Sequence, residues 1–183
     1  MPKKLEEEKS KQDGGKDEDA LSKLVVMSQP SQEPELRTMT IMGDIDEEIS
    51  KDVLSALWYL KSTAKVLEPV DPENPECEEF KEVIQPIEII ISTNGGSADE
   101  MFAMYDAIRF IREDVDIETY GLGKVMSAGT LLLASGTKGK RKIGKHCRVM
   151  IHSVIGGSVG PMHQLDNEMK EVKAIQESYI KAI

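Results

Sequence analysis

The chain has 183 residues and is 39% hydrophobic, which suits one compact domain with a sizeable core. A formal net charge of −10 argues against nucleic acid as the main partner, because phosphate binding wants a basic face. No apolar run approaches the roughly 20 residues of a membrane-spanning helix. Met1-Pro2-Lys3-Lys4-Leu5 runs straight into Glu6, Glu7 and Glu8, with no apolar signal-peptide core. Two cysteines, Cys77 and Cys147, make neither a disulfide framework nor a metal cluster. The expectation is a cytoplasmic, reducing compartment, with no metal, no cofactor and no membrane contact.

In chain order, residues 1–20 carry twelve charged side chains and almost nothing apolar, so they cannot offset their ordering entropy and are expected to be disordered. Residues 21–35, with Leu24-Val25-Val26-Met27 followed by Pro30 and Pro34, read as the rest of a mobile arm. Thr38 to Ile45 alternates as a strand, and Asp46-Glu47-Glu48 opens a helix in which Ile49, Val53, Leu57 and Leu60 fall at helical spacing beside Trp58. Residues 66–82 hold Pro69, Pro72 and Pro75 with seven acids against one lysine, which reads as a solvated loop.

Pro86 to Ile91 is a buried-strand signal leading through Ser92-Thr93-Asn94-Gly95-Gly96-Ser97 into a helix from Asp99 to Glu113, with Met101, Tyr105, Ile108 and Ile111 on one stripe. Val115 to Tyr120 reads as a strand and Lys124 to Ser135 as an apolar helix. Gly136 to Arg148 contains six Lys/Arg and no acid, which suggests a basic hairpin paired with an acidic neighbour. Arg148 to His152 is a further strand, and Cys147, next to Arg148, reads as a buried strand residue. Met162 to Ile183 is an amphipathic helix with Met169, Val172, Ile175 and Tyr179 on one stripe. An unpartnered apolar stripe of this kind favours oligomerisation. Strands alternating with helices mean an α/β domain with parallel strands.

Three turns carry candidate chemistry. The Asn94-Gly-Gly-Ser97 turn brings backbone close to a helix N-terminus, where free N–H groups favour negative charge. Any tight βα turn would look alike. Ser127 begins an apolar helix, with the Ala128 N–H available as an oxyanion donor, although N-cap serines far outnumber nucleophiles. His152 stands at the end of a strand of the same presumed sheet, so Gly96, Ser127 and His152 can converge at one edge. Nucleophile, base and oxyanion donor are the requirements of acyl transfer. Lys124, three residues before Ser127, is better read as a solvated loop lysine than as a dyad partner. His146 and His163 are assigned no role.

Asn94-Gly-Gly-Ser97, Tyr105-Asp106, Val125-Met-Ser-Ala-Gly129, Gly136-Thr-Lys-Gly-Lys-Arg141 and Arg148-Val-Met-Ile-His152, in this order, resemble the ClpP family, proteolytic subunits of the ATP-dependent Clp protease. The resemblance covers about residues 38–183, and the separation of Ser127 from His152 matches the family. It implies the Clp/crotonase-type ββα superhelical α/β fold. Residues 1–35 would be an arm, 36–161 a head, and 162–183 a protruding, truncated "handle" helix. It further implies Ser127 as nucleophile, His152 as general base and the N–H groups of Gly96 and Ala128 as oxyanion hole. Backbone at Gly96, Ala98, Ile155 and Gly157 would bind an extended peptide. Expected partners are further copies in heptameric rings, two of which stack, an AAA+ unfoldase, and unfolded polypeptide.

Departures from the family accompany the likeness. The family's triad aspartate lies downstream of the handle. Asp166, the one aspartate after His152, comes too early to match. The 183-residue form is therefore expected to be a poor peptidase, and a catalytically silent or decoy subunit is the rival reading. Residues 66–82 look like an insertion, two extra residues precede Gly123, and the pattern is similar to bacteriophage versions of the family. A crotonase-like acyl-CoA enzyme would share the oxyanion turns, but Ser127 and His152 at family positions argue against it.

Overall fold

A computed structural model describes residues 36–74 and 78–183. The proposed arm, residues 1–35, and Cys77 lie outside the described residues. The elements are β1 (Thr38–Ile45), α1 (Glu47–Ser62), β2 (Lys65–Pro69), β3 (Phe80–Ile84), β4 (Ile87–Gly96), α2 (Ala98–Ile111), β5 (Ile117–Met126), α3 (Ala128–Ser135), β6 (Arg141–Ile143), β7 (Arg148–Met150) and α4 (Met162–Ala182).

The main sheet is parallel throughout, in the order β1-β4-β5, with β6 and β7 both pairing with β5. Strand β4 alternates buried and partly exposed residues along most of its length, placing Ile87, Ile89 and Ile91 in the core. Parallel neighbours need crossovers, and α1, α2 and α3 supply them. Helix α1 buries Val53, Leu57 and Leu60 as its sequence predicts, but Ser50 is buried with them where Ile49 is expected, Ile49 is only half-buried, and Trp58 stays about half exposed. Asp46 caps its N-terminus, its Oδ1 accepting from Ile49 N at 2.9 Å. Helix α2 buries Met104, Ile108 and Ile111, and α3 buries Leu131 and Leu132 against β4 and β5. Buried Arg37 donates to the carbonyls of Leu60 (2.6 Å), Thr63 (3.3 Å) and Pro86 (3.0 Å), tying the C-terminus of α1 to the start of β4.

Four expectations require correction. Part of the proline-rich stretch forms β2 and β3, an antiparallel pair with Val66 opposite Val83 and a Lys65–Glu82 ion pair at 3.0 Å. Proline forbids a helix interior, but Pro69 is tolerated at the end of an edge strand. The helix expected from Lys124 begins at Ala128, because Lys124, Val125 and Met126 extend β5 to pair with β7. The basic segment is not a hairpin: β6 and β7 pair with different stretches of β5, not with each other. Cys147 is half-buried and precedes β7 instead of lying in it.

The ion-pair expectation for the basic segment holds at Lys140, which contacts Asp116 (2.8 Å) and Glu118 (3.8 Å), and at Lys142, which contacts Glu118 (2.9 Å). Hydrogen bonds from Lys142 and Tyr120 hold the Glu118 carboxyl below its ordinary value, and a bond from Lys140 does the same for Asp116.

Helix α4 does not stand clear of the head along its whole length. Its first half is largely exposed, with Met169 at 57% exposure, whereas Tyr179 in its last turns is buried at 5%. The stripe of Val172, Ile175 and Tyr179 is thus partly covered within the chain, because the segment after β7 and the turn at Ser127 pack against it.

Candidate active site

The C-terminal ends of β4, β5 and β7 meet at one edge of the sheet, as parallel pairing requires. An open cleft of about 410 Å³ lies there, and Gly96, Ala98, Ser127, Ala128, His152 and Ile155 all line it. Gly157, the remaining proposed site residue, does not line the cleft; it is exposed in the segment that follows.

Ser127 sits between β5 and α3 with φ +52° and ψ −122°. Among the described residues it is the one non-glycine with positive φ, a conformation costing roughly 1–3 kcal/mol unless the surroundings enforce it. The surroundings here are specific. Ser127 N–H donates to Met150 O at 2.8 Å, and Ser127 O accepts from Thr130 N at 2.9 Å and Thr130 Oγ1 at 2.7 Å. The side chain makes no capping hydrogen bond. The N-cap explanation of this serine therefore fails. Ser97, by contrast, caps α2 through Glu100 N at 3.4 Å, and Ser135 Oγ is spent on Leu132 O at 2.6 Å.

The glycine turn presses directly on this elbow. A Cβ on Gly95, at φ +101°, would lie 2.6 Å from Ser127 Cβ, 3.0 Å from Met126 O and 3.1 Å from Ala128 N. One on Gly96 would collide with the backbone of Ile45 at 2.2 Å. Thr93 fixes the turn: its hydroxyl donates to Gly43 O and accepts from Gly95 N at 3.0 Å, and Asn94 Nδ2 reaches Asp44 Oδ1 at 3.2 Å. As the first residue of α3, Ala128 has an amide without an intrahelical acceptor. The helix dipole adds positive potential at the same point.

His152 lies two residues beyond β7 and is exposed. Its Nδ1 is 2.6 Å from Ser153 O. A carbonyl only accepts, so the neutral ring carries its proton on Nδ1 and leaves Nε2 unprotonated, the tautomer a general base requires. No hydrogen bond joins Ser127 Oγ to His152 among the described residues, as is common before substrate tightens such a pair. No carboxylate lines the cleft or comes within ion-pair distance of His152 among the described residues.

Sequence reasoning missed Gly95 as the closest backbone to the elbow, and it missed Thr130, Gln176 and Tyr179 as its supports. Tyr179 OH donates to Ser127 O at 3.1 Å and also contacts Thr130 Oγ1, and Gln176 Oε1 accepts from Val154 N at 2.6 Å. A phenol on an otherwise apolar stripe was the available signal, since a buried Tyr hydroxyl needs a partner.

The Clp protease family model matches residues 78–183, more than half of the chain, and takes in every residue of this cleft. With its mixed α/β architecture and mostly parallel sheet, the chain belongs to the Clp protease family.

Proposed function

We propose that the chain is a Clp-type serine endopeptidase subunit that cleaves unfolded polypeptide within a ring chamber fed by an AAA+ unfoldase. The observation that carries this reading is Ser127, held at positive φ with its hydroxyl unused for capping, in one cleft with a histidine of the correct tautomer. Ser127 Oγ attacks the scissile carbonyl while His152 Nε2 takes its proton. The N–H groups of Gly96 and Ala128 receive the oxyanion, and His152 then protonates the leaving amine. Ile155 and Gly157, in an exposed segment outside any strand, offer backbone on which an extended substrate can add as a strand beside Gly96 and Ala98. Recognition through backbone tolerates many sequences, which suits a degradative peptidase.

Among the described residues, the cleft has no carboxylate to stabilise the imidazolium formed during attack. Ser153 O fixes the tautomer but supplies only a dipole. Removing the carboxylate from a serine triad lowers kcat by about 10⁴-fold where the tautomer is also lost. The 183-residue chain is therefore a slow peptidase in this reading. Small fluorogenic peptides should be turned over just above background, and faster once a segment added beyond Ile183 brings an aspartate to His152 Nδ1. Turnover that survives Ser127→Ala would overturn the assignment. A cleft without a carboxylate among the described residues also fits the second reading, a silent subunit that assembles with an active Clp protease. That reading predicts no acceleration with the added aspartate and lowered activity of mixed rings.

A further inference from the structure

We propose that the face of α4 bearing Gln176 and Tyr179 is a two-point clamp that aligns the two halves of the catalytic pair, which makes both side chains positioning residues. The inference rests on the reading of Ser127 and His152 as nucleophile and base. The two clamp residues are three apart, so they share one helix face. Tyr179 reaches the elbow: its buried phenol donates to Ser127 O at 3.1 Å and contacts Thr130 Oγ1. Gln176 reaches the opposite wall: its Oε1 accepts from Val154 N at 2.6 Å, two residues after His152. One turn earlier, Val172 packs so closely on Gly156 that a Cβ there would lie 2.6 Å away.

The need for a clamp follows from the two walls. Ser127 O accepts from Thr130 N and is held by the paired hydroxyls of Thr130 and Tyr179, whose two protons serve the three contacts among these oxygens, and fixing this carbonyl fixes the conformation of Ser127. A residue at φ +52° keeps that conformation only when its surroundings over-determine it. The histidine wall is tied to the elbow at Met150 O, through Ser127 N–H. From there to Gln176 the exposed segment with His152 has no further hydrogen bond to another element among the described residues. Docking of α4 therefore sets the distance between nucleophile and base.

The test uses the full chain with Tyr179→Phe and Gln176→Leu, each removing one polar contact while keeping most of the side-chain volume. Each should lower the maximal fluorophosphonate labelling rate of Ser127 by about tenfold, with the half-saturating probe concentration within about twofold, because misalignment impairs the reaction more than binding. Hydrogen exchange gives a readout independent of activity: Tyr179→Phe should speed exchange at Thr130, and Gln176→Leu at Val154. Unchanged labelling and unchanged exchange in both variants would overturn the clamp. If the unsubstituted chain does not label at Ser127, the nucleophile reading falls, and the exchange rates still decide whether the clamp exists. Should Tyr179→Phe fail to fold, Thr130→Val removes the hydroxyl that bonds both Ser127 O and Tyr179 OH, and wild-type labelling in that variant would likewise overturn the proposal.

Discussion

Replacing Gly95 by alanine isolates the contact between the glycine turn and the elbow of the proposed nucleophile, Ser127. The new methyl carbon would sit 2.6 Å from Ser127 Cβ, with Met126 O at 3.0 Å and Ala128 N at 3.1 Å. Ordinary carbon–carbon contact is about 3.5–4.0 Å, so roughly 1 Å must be found. Two of the three neighbours are backbone atoms and cannot rotate away, so β4 and the elbow must separate. The φ of +101° adds about 1–2 kcal/mol of strain for a residue with a Cβ, and overpacking adds about 1–3 kcal/mol. A separation of about 1 Å at the reacting atoms costs about 10²-fold in rate. Gly139→Ala is the control, since Gly139 has φ +87° with nothing within 4 Å of its would-be Cβ. It should lose stability from strain alone and label normally. Thermal melts and fluorophosphonate labelling rates of both variants decide the matter. If Gly95→Ala labels Ser127 at the same rate as Gly139→Ala, the glycine turn does not set the elbow geometry.

Three further outcomes are expected. Leu131→Ala, at a fully buried position of α3, should cost about 2–5 kcal/mol in urea unfolding. Because bonds from Lys142 and Tyr120 hold the folded Glu118 pKa below its ordinary 4.5, its stabilisation is present above that value and lost as pH falls through the lowered folded value. Wild type should therefore melt about 1–3 °C above Glu118→Gln at pH 7, and the gap should close on titration below pH 4.5; a constant gap would contradict the pairing. His152→Ala should leave the melting temperature nearly unchanged, because the side chain is exposed, while slowing Ser127 labelling at least about 10²-fold.

Much of this arrangement is legible in the sequence because local and tertiary signals agree there. Asp46, the spacing of Val53, Leu57 and Leu60, and the isoleucine run of β4 each specify one outcome, and the structure follows them. The turns at Gly95-Gly96 and Ser127 are legible as backbone features, since a glycine pair after a strand and a serine before an apolar helix both mark a strand-to-helix turn. What is not legible depends on partners distant in sequence. Lys124 to Met126 look helical alone and become strand because β7 lies beside them. Val66 and Val83 pair across a proline-rich loop that hides both strands. Arg37 shows no local sign that it will collect the last carbonyls of α1. Tyr179 reads as one residue of an apolar stripe until α4 folds back over the elbow 52 residues upstream.

The proposed chemistry makes Ser127, at the N-terminus of α3, a nucleophile activated by His152. Mapping the fluorophosphonate adduct by peptide mass spectrometry in the wild-type chain, Ser127→Ala and His152→Ala tests it most directly. One adduct is expected, on Ser127, absent from Ser127→Ala and strongly slowed in His152→Ala. An adduct on Ser97 or Ser135, or labelling that persists in Ser127→Ala, would contradict it.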